Sequence, residues 1–269
     1  MVGLTAAQPG AWRADSRALL LLALPLILTN LAYVALTTID IVVLGMLGAK
    51  ELAAGGLAIA LFNQLRTTGT GLVTGVSNLV AQANARGDEA QVRALLVAGL
   101  FWATVSGLVF MAVLLGLRQP LTWLGQDASV VANAMDFLLI IAPGLLPCLW
   151  FQALRHFTVG LKFPGPLLAI TLVSIFLTAA LNYVLVFGKF GVPAYGLAGV
   201  AITSAVVFLL SFLMFFAVVL THRRLAGYFK LAHLRFSPAA IKAVWKLGLP
   251  IAGTYASEAG FFSVLTLLI

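Results

Sequence analysis

Long apolar stretches alternate with short polar breaks along this chain. Seven stretches are long enough to cross a hydrocarbon core of about 30 Å as helices that rise about 1.5 Å per residue. The breaks carry the glycine, proline and charged residues that are typical of turns. We therefore predict an all-α membrane protein with seven spans, near residues 18–46, 53–81, 93–117, 130–154, 166–188, 196–220 and 245–269.

A short pattern occurs twice. Residues 17–26 read RALLLLALPL and residues 242–251 read KAVWKLGLPI, which is an offset of 225 residues. The first copy precedes six apolar stretches and the second precedes one. Such a repeat indicates two similar halves, an organisation most often found in transporters. We predict a six-helix N-terminal lobe (1–220), a cytoplasmic linker (221–243) and the first helix of a second lobe (244–269), truncated after its start.

The distribution of Lys and Arg predicts the orientation of the chain. Twelve of them lie in the N-terminal segment, two of the breaks and the linker, whereas three lie in the breaks on the opposite side. An excess of Lys and Arg marks cytoplasmic segments. We therefore place the N-terminus in the cytoplasm. Both copies of the pattern then begin on the same side, which makes a parallel repeat.

Composition supports the membrane assignment. The chain is 62% hydrophobic and 9% charged, whereas a soluble domain carries about 25% charged residues. The net charge of +8 does not indicate a nucleic-acid partner, because the basic residues lie in short segments between apolar stretches. Cys148 is the only cysteine, which excludes an intrachain disulfide and a cysteine-rich metal site.

Polar residues at helical spacing line one face of the first, second and fifth predicted spans. Such faces indicate either a shared water-filled cavity or close helix packing, because small polar residues favour contact in membranes. The faces consist of Asn30, Tyr33, Thr37 and Asp40; Asn63, Thr67, Thr70, Thr74 and Asn78; and Thr171, Ser174, Thr178 and Asn182.

Asp40, Glu258 and Arg66 are charged residues within predicted spans. A carboxylate in lipid costs about 2.5–3.5 kcal/mol, so Asp40 is expected to bind a cation or proton, unless it is an interfacial acid solvated by headgroups. Glu258 lies twelve residues past Lys246, about 18 Å along a helix, and is either a cation or proton site or a structural acid paired with a base. Arg66 either counters a carboxylate across the cavity or holds broken backbone.

Helix-bending and small residues lie within the same stretches. Pro25, Pro143 and Pro147 each free a carbonyl and bend a helix, which produces a hinge or a static kink. Gly71 and Gly75 form a GxxxG pair, which we interpret as a packing surface. No metalloprotease, P-loop or nucleophile-elbow motif occurs. We therefore expect no enzyme activity and no cofactor, and no metal site is certain.

Six segments of the chain have a recognisable sequence. They are LPLILTN and TIDIVVLGMLG (24–48), VAQANARGD (80–88), APGLLPCLWFQALR (142–155), GLKFPGP (160–166), LNYVLVFGKFGVPAYGLAGVA (181–201) and GLPI (248–251). Through these segments the chain resembles the multidrug and toxic compound extrusion (MATE) family over nearly its whole length, and its NorM-like bacterial branch in particular. The segment around Asn182 is the most specific.

The resemblance implies roles for several residues. Asp40 matches the acid of the first helix, Pro25 its bending proline and Asn182 the asparagine of the fifth helix. Glu258 matches the acid of the second-lobe cation site, with Na⁺ as one candidate. Some members carry a further acid where this chain has Val186, which weakens the case for an ion site in the first lobe. The expected substrate-cavity residues are Asn30, Tyr33, Thr37, Asn63, Arg66 and Thr178.

The resemblance also implies a function. We expect an antiporter of the bacterial inner membrane that exports small cationic organic compounds in exchange for H⁺ or Na⁺, and that is monomeric when full length. One alternative is a flippase of lipid-linked oligosaccharides, which would need several basic residues around its cavity. The other is a non-transporting fragment or scaffold.

Overall fold

The computed structural model describes residues 9–116, 127–163, 167–229 and 236–268, with side-chain surroundings from residue 27 to residue 258 and at Gly260. Every element in these residues is helical. The α-helices are α1 (Pro9–Leu47), α2 (Ala49–Ala85), α3 (Glu89–Gly116), α4 (Ala128–Ile141), α5 (Leu145–Gly160), α6 (Leu167–Phe187), α7 (Gly196–Thr221) and α8 (Pro238–Leu268), with 3₁₀ turns at Ala142–Gly144 and Ala226–Phe229.

The all-α membrane prediction is confirmed. In the described part of the chain, five helical stretches are long and apolar enough to cross a membrane: Ile27–Leu47, α3, Ala128–Gly160, α6 and α7. Helices α2 and α8 lie at the other two predicted positions. Helix α2 is less apolar because its middle carries Asn63, Gln64 and Arg66.

The fourth predicted span differs from the structure in two ways. The 3₁₀ turn Ala142–Gly144 contains Pro143 and separates α4 from α5, because proline cannot donate the backbone hydrogen bond that a continuous helix requires. Helix α5 then continues to Gly160. The prediction that this span ends at residue 154, with Arg155 in a loop, is wrong: Arg155 and His156 lie within the helix.

Apolar side chains face both the interior and the surroundings of the bundle. The interior contains stacked rings of Phe62 and Phe208, with centroids 5.6 Å apart, and the fully buried Phe157. On the outside, α1 exposes Leu31 and α6 exposes Phe176, which is 74% exposed. Apolar residues on both faces are what a helix bundle in lipid requires, because lipid tails replace water around it.

Helices α2 and α8 approach each other closely through glycines. A Cβ atom on Gly248 would lie 2.0 Å from the carbonyl oxygen of Leu72, and one on Gly71 would lie 2.7 Å from the Cα atom of Ala252. A Cβ on Gly75 would contact the backbone nitrogen of Gly248 at 3.3 Å. Gly71 and Gly75 therefore form a packing surface for α8, as small residues do between membrane helices.

Candidate functional site

The Asp40 cluster consists of Asp40 on α1, Asn182 on α6 and Ser204 on α7. The Nδ2 atom of Asn182 donates to Oδ1 of Asp40 at 3.0 Å, and the Oγ atom of Ser204 donates to Oδ2 at 2.9 Å. Among the described residues the only ion pair joins Arg93 and Glu89. Two neutral donors therefore solvate the carboxylate, and none of the basic groups described lies within 4.0 Å of it.

The side-chain oxygen of Asn182 accepts no hydrogen bond in the described structure. Its side chain is 1% exposed, and its Oδ1 atom is buried without a hydrogen-bond donor in the described structure. A buried polar atom without a partner is unusual and calls for an explanation such as a water or an ion. The cluster thus combines a carboxylate with a free amide oxygen.

Asp40 lines a cavity between α1, α2, α4, α6 and α7. The cavity contains about 560 Å³ of empty space, part of it open to the outside. Of the residues expected to line a substrate cavity, the structure places all but Asn30 here. The polar lining residues are Tyr33, Thr37, Asp40, Asn63, Arg66, Thr178 and Ser204, and the apolar ones include Leu36, Ile59, Phe62, Ile141, Val207 and Phe208.

Arg66 interacts with its own helix. Its Nε atom donates to Oδ1 of Asn63 at 3.0 Å. It is not in an ion pair with any described carboxylate, and α2 is continuous from Ala49 to Ala85. Arg66 therefore does not hold broken backbone. That it counters a carboxylate across the cavity stays a prediction, because the two groups line one cavity without forming an ion pair. It remains a positive charge in the cavity that Asp40 also lines.

A second polar group, the Arg155 cluster, consists of Arg155, Asn30, Gln152, Tyr33 and Thr70. The guanidinium group of Arg155 donates to Oδ1 of Asn30 at 3.2 Å and to Oε1 of Gln152 at 3.4 Å. It also lies 5.8 Å from the ring centroid of Tyr33. Gln152 donates to Thr70 at 3.5 Å. Sequence reasoning missed this cluster because it placed Arg155 outside the helix.

The polar face of α6 extends beyond the Asp40 cluster. Thr171 and Ser174 line a second, smaller cavity, together with Ser211 of α7, and the hydroxyl groups of Ser174 and Ser211 are 2.7 Å apart. Tyr33 lines both cavities. The α6 face therefore borders the cavities and also bonds to the neighbouring helix. Its geometry is compatible with both a shared cavity and close helix packing.

The remaining predicted residues lie elsewhere. Glu258 is exposed on α8 and is not among the residues that line the Asp40 cavity. The candidate hinge Pro25 lies within α1, but its side chain is outside the described part. Asn78 is exposed, and Thr74 is 3.2 Å from His156 Nε2. Within the described residues, no three His, Cys, Asp or Glu side chains come together as a metal site.

The chain is similar in sequence to a known protein family and to several of its members. The family model described as MatE matches residues 25–184. Proteins called "Probable multidrug resistance protein NorM" are 34% identical over 95% of this chain in a Synechococcus species and 37% identical over 94% in Pseudomonas aeruginosa. The chain spans about half the length of these relatives, 55% and 52% respectively.

Solved structures agree on the fold. A structure described as the eukaryotic MATE transporter AtDTX14 superposes with a TM-score of 0.83 at 22% identity, covering 95% of this chain and 56% of the other. An outward-facing multidrug resistance MATE family transporter superposes with a TM-score of 0.80 at 18% identity, covering 89% and 52%. The family model, the relatives and the fold agree, so the chain belongs to the MATE family of membrane transporters.

Proposed function

We propose that the Asp40 cluster is an ion-coupling site of a multidrug exporter, at which H⁺ or Na⁺ competes with a cationic organic compound. The observation that carries the proposal is the Asp40 carboxylate itself. It borders a cavity and is solvated by the two neutral donors Asn182 and Ser204. A carboxylate that lacks a cationic partner is available to an incoming cation or proton.

The cavity supports an organic cation as one occupant. It combines the charge of Asp40 with the rings of Phe62, Phe208 and Tyr33. Aromatic faces attract organic cations by about 0.5–2 kcal/mol each, and apolar walls favour the carbon skeleton of the ligand. The relatives' names, which refer to multidrug resistance, agree with a cavity that selects by charge and apolar contact.

A small ion is the competing occupant. A proton would bind directly to the carboxylate and remove its charge. Sodium would require further oxygen ligands, and hard cations prefer carboxylate and carbonyl oxygens. The donor-free Oδ1 atom of Asn182 is one such oxygen beside Asp40. Either ion weakens the attraction for the organic cation, which gives the two occupants a common site to exchange.

Transport requires that the two occupants favour different conformations, because a ligand shifts an equilibrium only by its differential affinity for the two states. We propose that residues 1–220 form one lobe, that 221–243 form a cytoplasmic linker, and that the helix from residue 244 begins the second lobe. The N-terminus then lies in the cytoplasm. In this arrangement Glu258 belongs to a second cation site, and Pro25 remains a candidate hinge.

The oligosaccharide-flippase alternative is disfavoured by charge. A diphosphate-linked substrate would need several bases around the cavity, since phosphate binding relies on Arg and Lys. Among the described residues that line the Asp40 cavity, Arg66 is the one base. The acid Asp40 lines the same cavity and would repel a phosphate group.

The test is binding of ethidium to the purified 269-residue chain in detergent, followed by fluorescence anisotropy. Asp40→Asn removes the charge and keeps the shape, so we expect affinity to fall at least tenfold, or about 1.4 kcal/mol. Asp136→Asn is the matched control, because Asp136 is an exposed acid on α4, and we expect a change of less than twofold. Equal affinity of Asp40→Asn and the unaltered chain would overturn the proposal.

The coupling ion is identified in the same assay. If a proton competes, ethidium affinity falls as pH is lowered at constant sodium; if sodium competes, it falls as sodium replaces choline at constant pH. Either dependence should disappear in Asp40→Asn. Transport is then measured in proteoliposomes with this chain joined to the second lobe of the Pseudomonas aeruginosa relative, where we expect ethidium uptake that Asp40→Asn abolishes.

A further inference from the structure

A basic pocket lies at the end of the bundle opposite the Asp40 cluster. It is formed where α2 ends, where α5 ends and in the turn after α7, and it contains about 720 Å³ of empty space, part of it open to solvent. Because α1 and α2 are joined by the tight turn at Gly48, the end of α2 is far from the Asp40 end of α1. The residues that line the basic pocket are Asn84, Leu161, Lys162, Phe163, Arg224, Leu225 and Tyr228.

We propose that the basic pocket binds the phosphate group of an anionic phospholipid. Its two charged residues, Lys162 and Arg224, are both exposed. The single ion pair among the described residues, Arg93 with Glu89, leaves both without a carboxylate partner. None of the described residues that line the pocket is an acid. Phosphate is the anion that Arg and Lys side chains bind most effectively through charge-assisted hydrogen bonds.

The rest of the lining distinguishes a lipid from a free anion. Leu225 is 1% exposed and forms an apolar wall with Leu161, Phe163 and Tyr228. Inorganic phosphate would gain nothing from these side chains. A phospholipid presents a charged phosphate and apolar carbon chains next to each other, and basic pockets between membrane helices recognise lipid headgroups in this way.

The two basic residues are held in place by ordered turns. Lys162 has a φ of 58° and follows the end of α5. Its backbone nitrogen donates to Val159 at 2.9 Å, and the nitrogen of Phe163 donates to Thr158 at 2.9 Å, which is the pair of bonds of a Schellman motif. The left-handed backbone directs the chain back across the bundle end, where Lys162 lines the pocket.

The opposite side of the pocket is tied to this turn. The ring of Phe163 lies 4.2 Å from the ring of His222, and His222 accepts the backbone hydrogen bonds of Leu225 and Ala226, each at 2.9 Å. Tyr228 packs edge-on against Phe157 at 5.8 Å. Preorganised turns reduce the entropy lost on binding, so the pocket is suited to bind one headgroup at a defined position.

The test compares lipids and variants with the chain in detergent micelles. Fluorescently labelled phosphatidylglycerol and phosphatidylcholine are titrated, and binding is followed by energy transfer from tryptophan. Each base near an anionic lipid contributes about fivefold in affinity. We therefore expect phosphatidylglycerol to bind at least tenfold more tightly than phosphatidylcholine. Equal affinity for the two lipids would overturn the proposal.

The variant pair is Lys162→Asn with Arg224→Gln, because asparagine tolerates the left-handed backbone of residue 162. The matched control is Lys50→Gln with Lys189→Gln, which removes two exposed bases from the Asp40 end and changes the net charge equally. We expect the first pair to lose the preference for phosphatidylglycerol and the control to keep it. An equal loss in both would show non-specific charge attraction and overturn the proposal. Size-exclusion profiles and helical content verify folding, and the single variants replace a pair that fails this check.

Inorganic phosphate separates the two sources of the same anion. At equal ionic strength, we expect phosphate to displace labelled phosphatidylglycerol no better than sulfate or chloride does. Displacement by inorganic phosphate at millimolar concentration, without discrimination between the two lipids, would assign the pocket to a free phosphate and overturn the lipid assignment.

Discussion

The Asp40 cluster and the Arg155 cluster place charges of opposite sign among neutral partners. Asp40 accepts hydrogen bonds from Asn182 and Ser204, and Arg155 donates to Asn30 and Gln152. Helix α1 contributes to both. Neither charged group is in an ion pair with a described residue, so neutral groups are the hydrogen-bond partners of both.

The two clusters differ in how far their partners are shielded from the surroundings. Asn182 is 1% exposed, whereas Asn30 is exposed. A charge with buried neutral partners depends on them, because water cannot replace a lost hydrogen bond there. Arg155 has one buried partner, Gln152 at 4% exposure, and one exposed partner, Asn30, whose hydrogen bond water can replace. We therefore expect Asp40 to control ligand binding. We expect Arg155 to connect α1 with α5 and its hydrogen bonds to contribute less to the free energy of unfolding than those of Asp40.

Matched asparagine substitutions should separate the clusters most clearly. Asn182→Leu removes a buried donor to the carboxylate, and we expect it to lower the free energy of unfolding by about 2 kcal/mol and to weaken ethidium binding about tenfold. Asn30→Leu removes an exposed acceptor. We expect it to lower the free energy of unfolding by less than about 0.5 kcal/mol and to leave ethidium binding unchanged. Thermal unfolding and anisotropy in detergent measure both. Similar losses in the two variants would break the comparison.

Serine substitutions on α7 sharpen the same comparison within one helix. Ser204→Ala removes the second donor to Asp40, and we expect a loss of about 1 kcal/mol and a several-fold weaker ethidium affinity. Ser211→Ala is the control, because Ser211 bonds to Ser174 and not to Asp40. It should leave ethidium affinity unchanged. If Ser211→Ala weakens binding as much as Ser204→Ala does, the effect belongs to helix packing and not to the carboxylate.

Tyr33 tests whether the two clusters are independent. Its ring lies 5.8 Å from the guanidinium carbon of Arg155, and it also lines the Asp40 cavity. Tyr33→Phe keeps the ring and should preserve stability, while Tyr33→Leu removes the ring and should lower stability by about 0.5–1 kcal/mol. When Arg155 is replaced by Gln, the difference in stability between Tyr33→Phe and Tyr33→Leu should become smaller. A difference that persists in that background would show that the ring also acts through other contacts, namely its edge-on contact with Phe151 at 6.5 Å or the Asp40 cavity.

Asp127 provides an acid outside both clusters. It caps α4 by accepting from the backbone nitrogen atoms of Ser129 at 2.8 Å and Val130 at 3.3 Å, and these bonds with that of the Ser129 hydroxyl hold the pKa of its carboxyl below the usual value. A depressed pKa contributes stability that is present above the ordinary pKa of about 4 and is lost as pH falls through the lower, folded value.

The expected effect of Asp127 is the smallest, because the group is fully exposed. Asp127→Asn should flatten the pH dependence of unfolding below about pH 4 and leave ethidium binding unchanged. This pH dependence is measured by following unfolding with circular dichroism at a series of pH values from acid to neutral. Weaker ethidium binding in this variant would show that acids outside the Asp40 cluster contribute to the site.

Some of this site could be predicted from periodicity and some could not. Asp40 and Asn182 both terminate polar faces, so a shared location could be expected from the sequence. Ser204 was missed because α7 carries too few polar residues to form a face, although the adjacent Thr203 and Ser204 interrupt an apolar stretch. Which residues meet across 142 or 164 positions of the chain depends on helix packing, which a helical repeat does not encode.

The helix ends were the least predictable part of the fold. The sequence predicts that the fourth span ends at residue 154, just before Arg155. In the structure Asn30 and Gln152 satisfy its guanidinium group, so the helix continues to Gly160. The spans themselves were predictable because membrane crossing demands length and apolar surface, whereas the position of a charge along a helix depends on partners from other segments.

The wide sequence separation within the Asp40 cluster has a consequence for biogenesis. Ser204 follows Asp40 by 164 residues, so a ribosome that adds about 5–20 residues per second delivers it roughly 8 to 33 s after the acid. During that interval α1 enters the translocon with an unsolvated carboxyl, at a cost of about 2.5–3.5 kcal/mol. Because the rest of this span is strongly apolar (Ile27–Leu47, mean hydropathy 1.9), the acid makes insertion of the first helix less favourable until α6 and α7 arrive, and mutations that remove Asp40 should accelerate its entry into the bilayer.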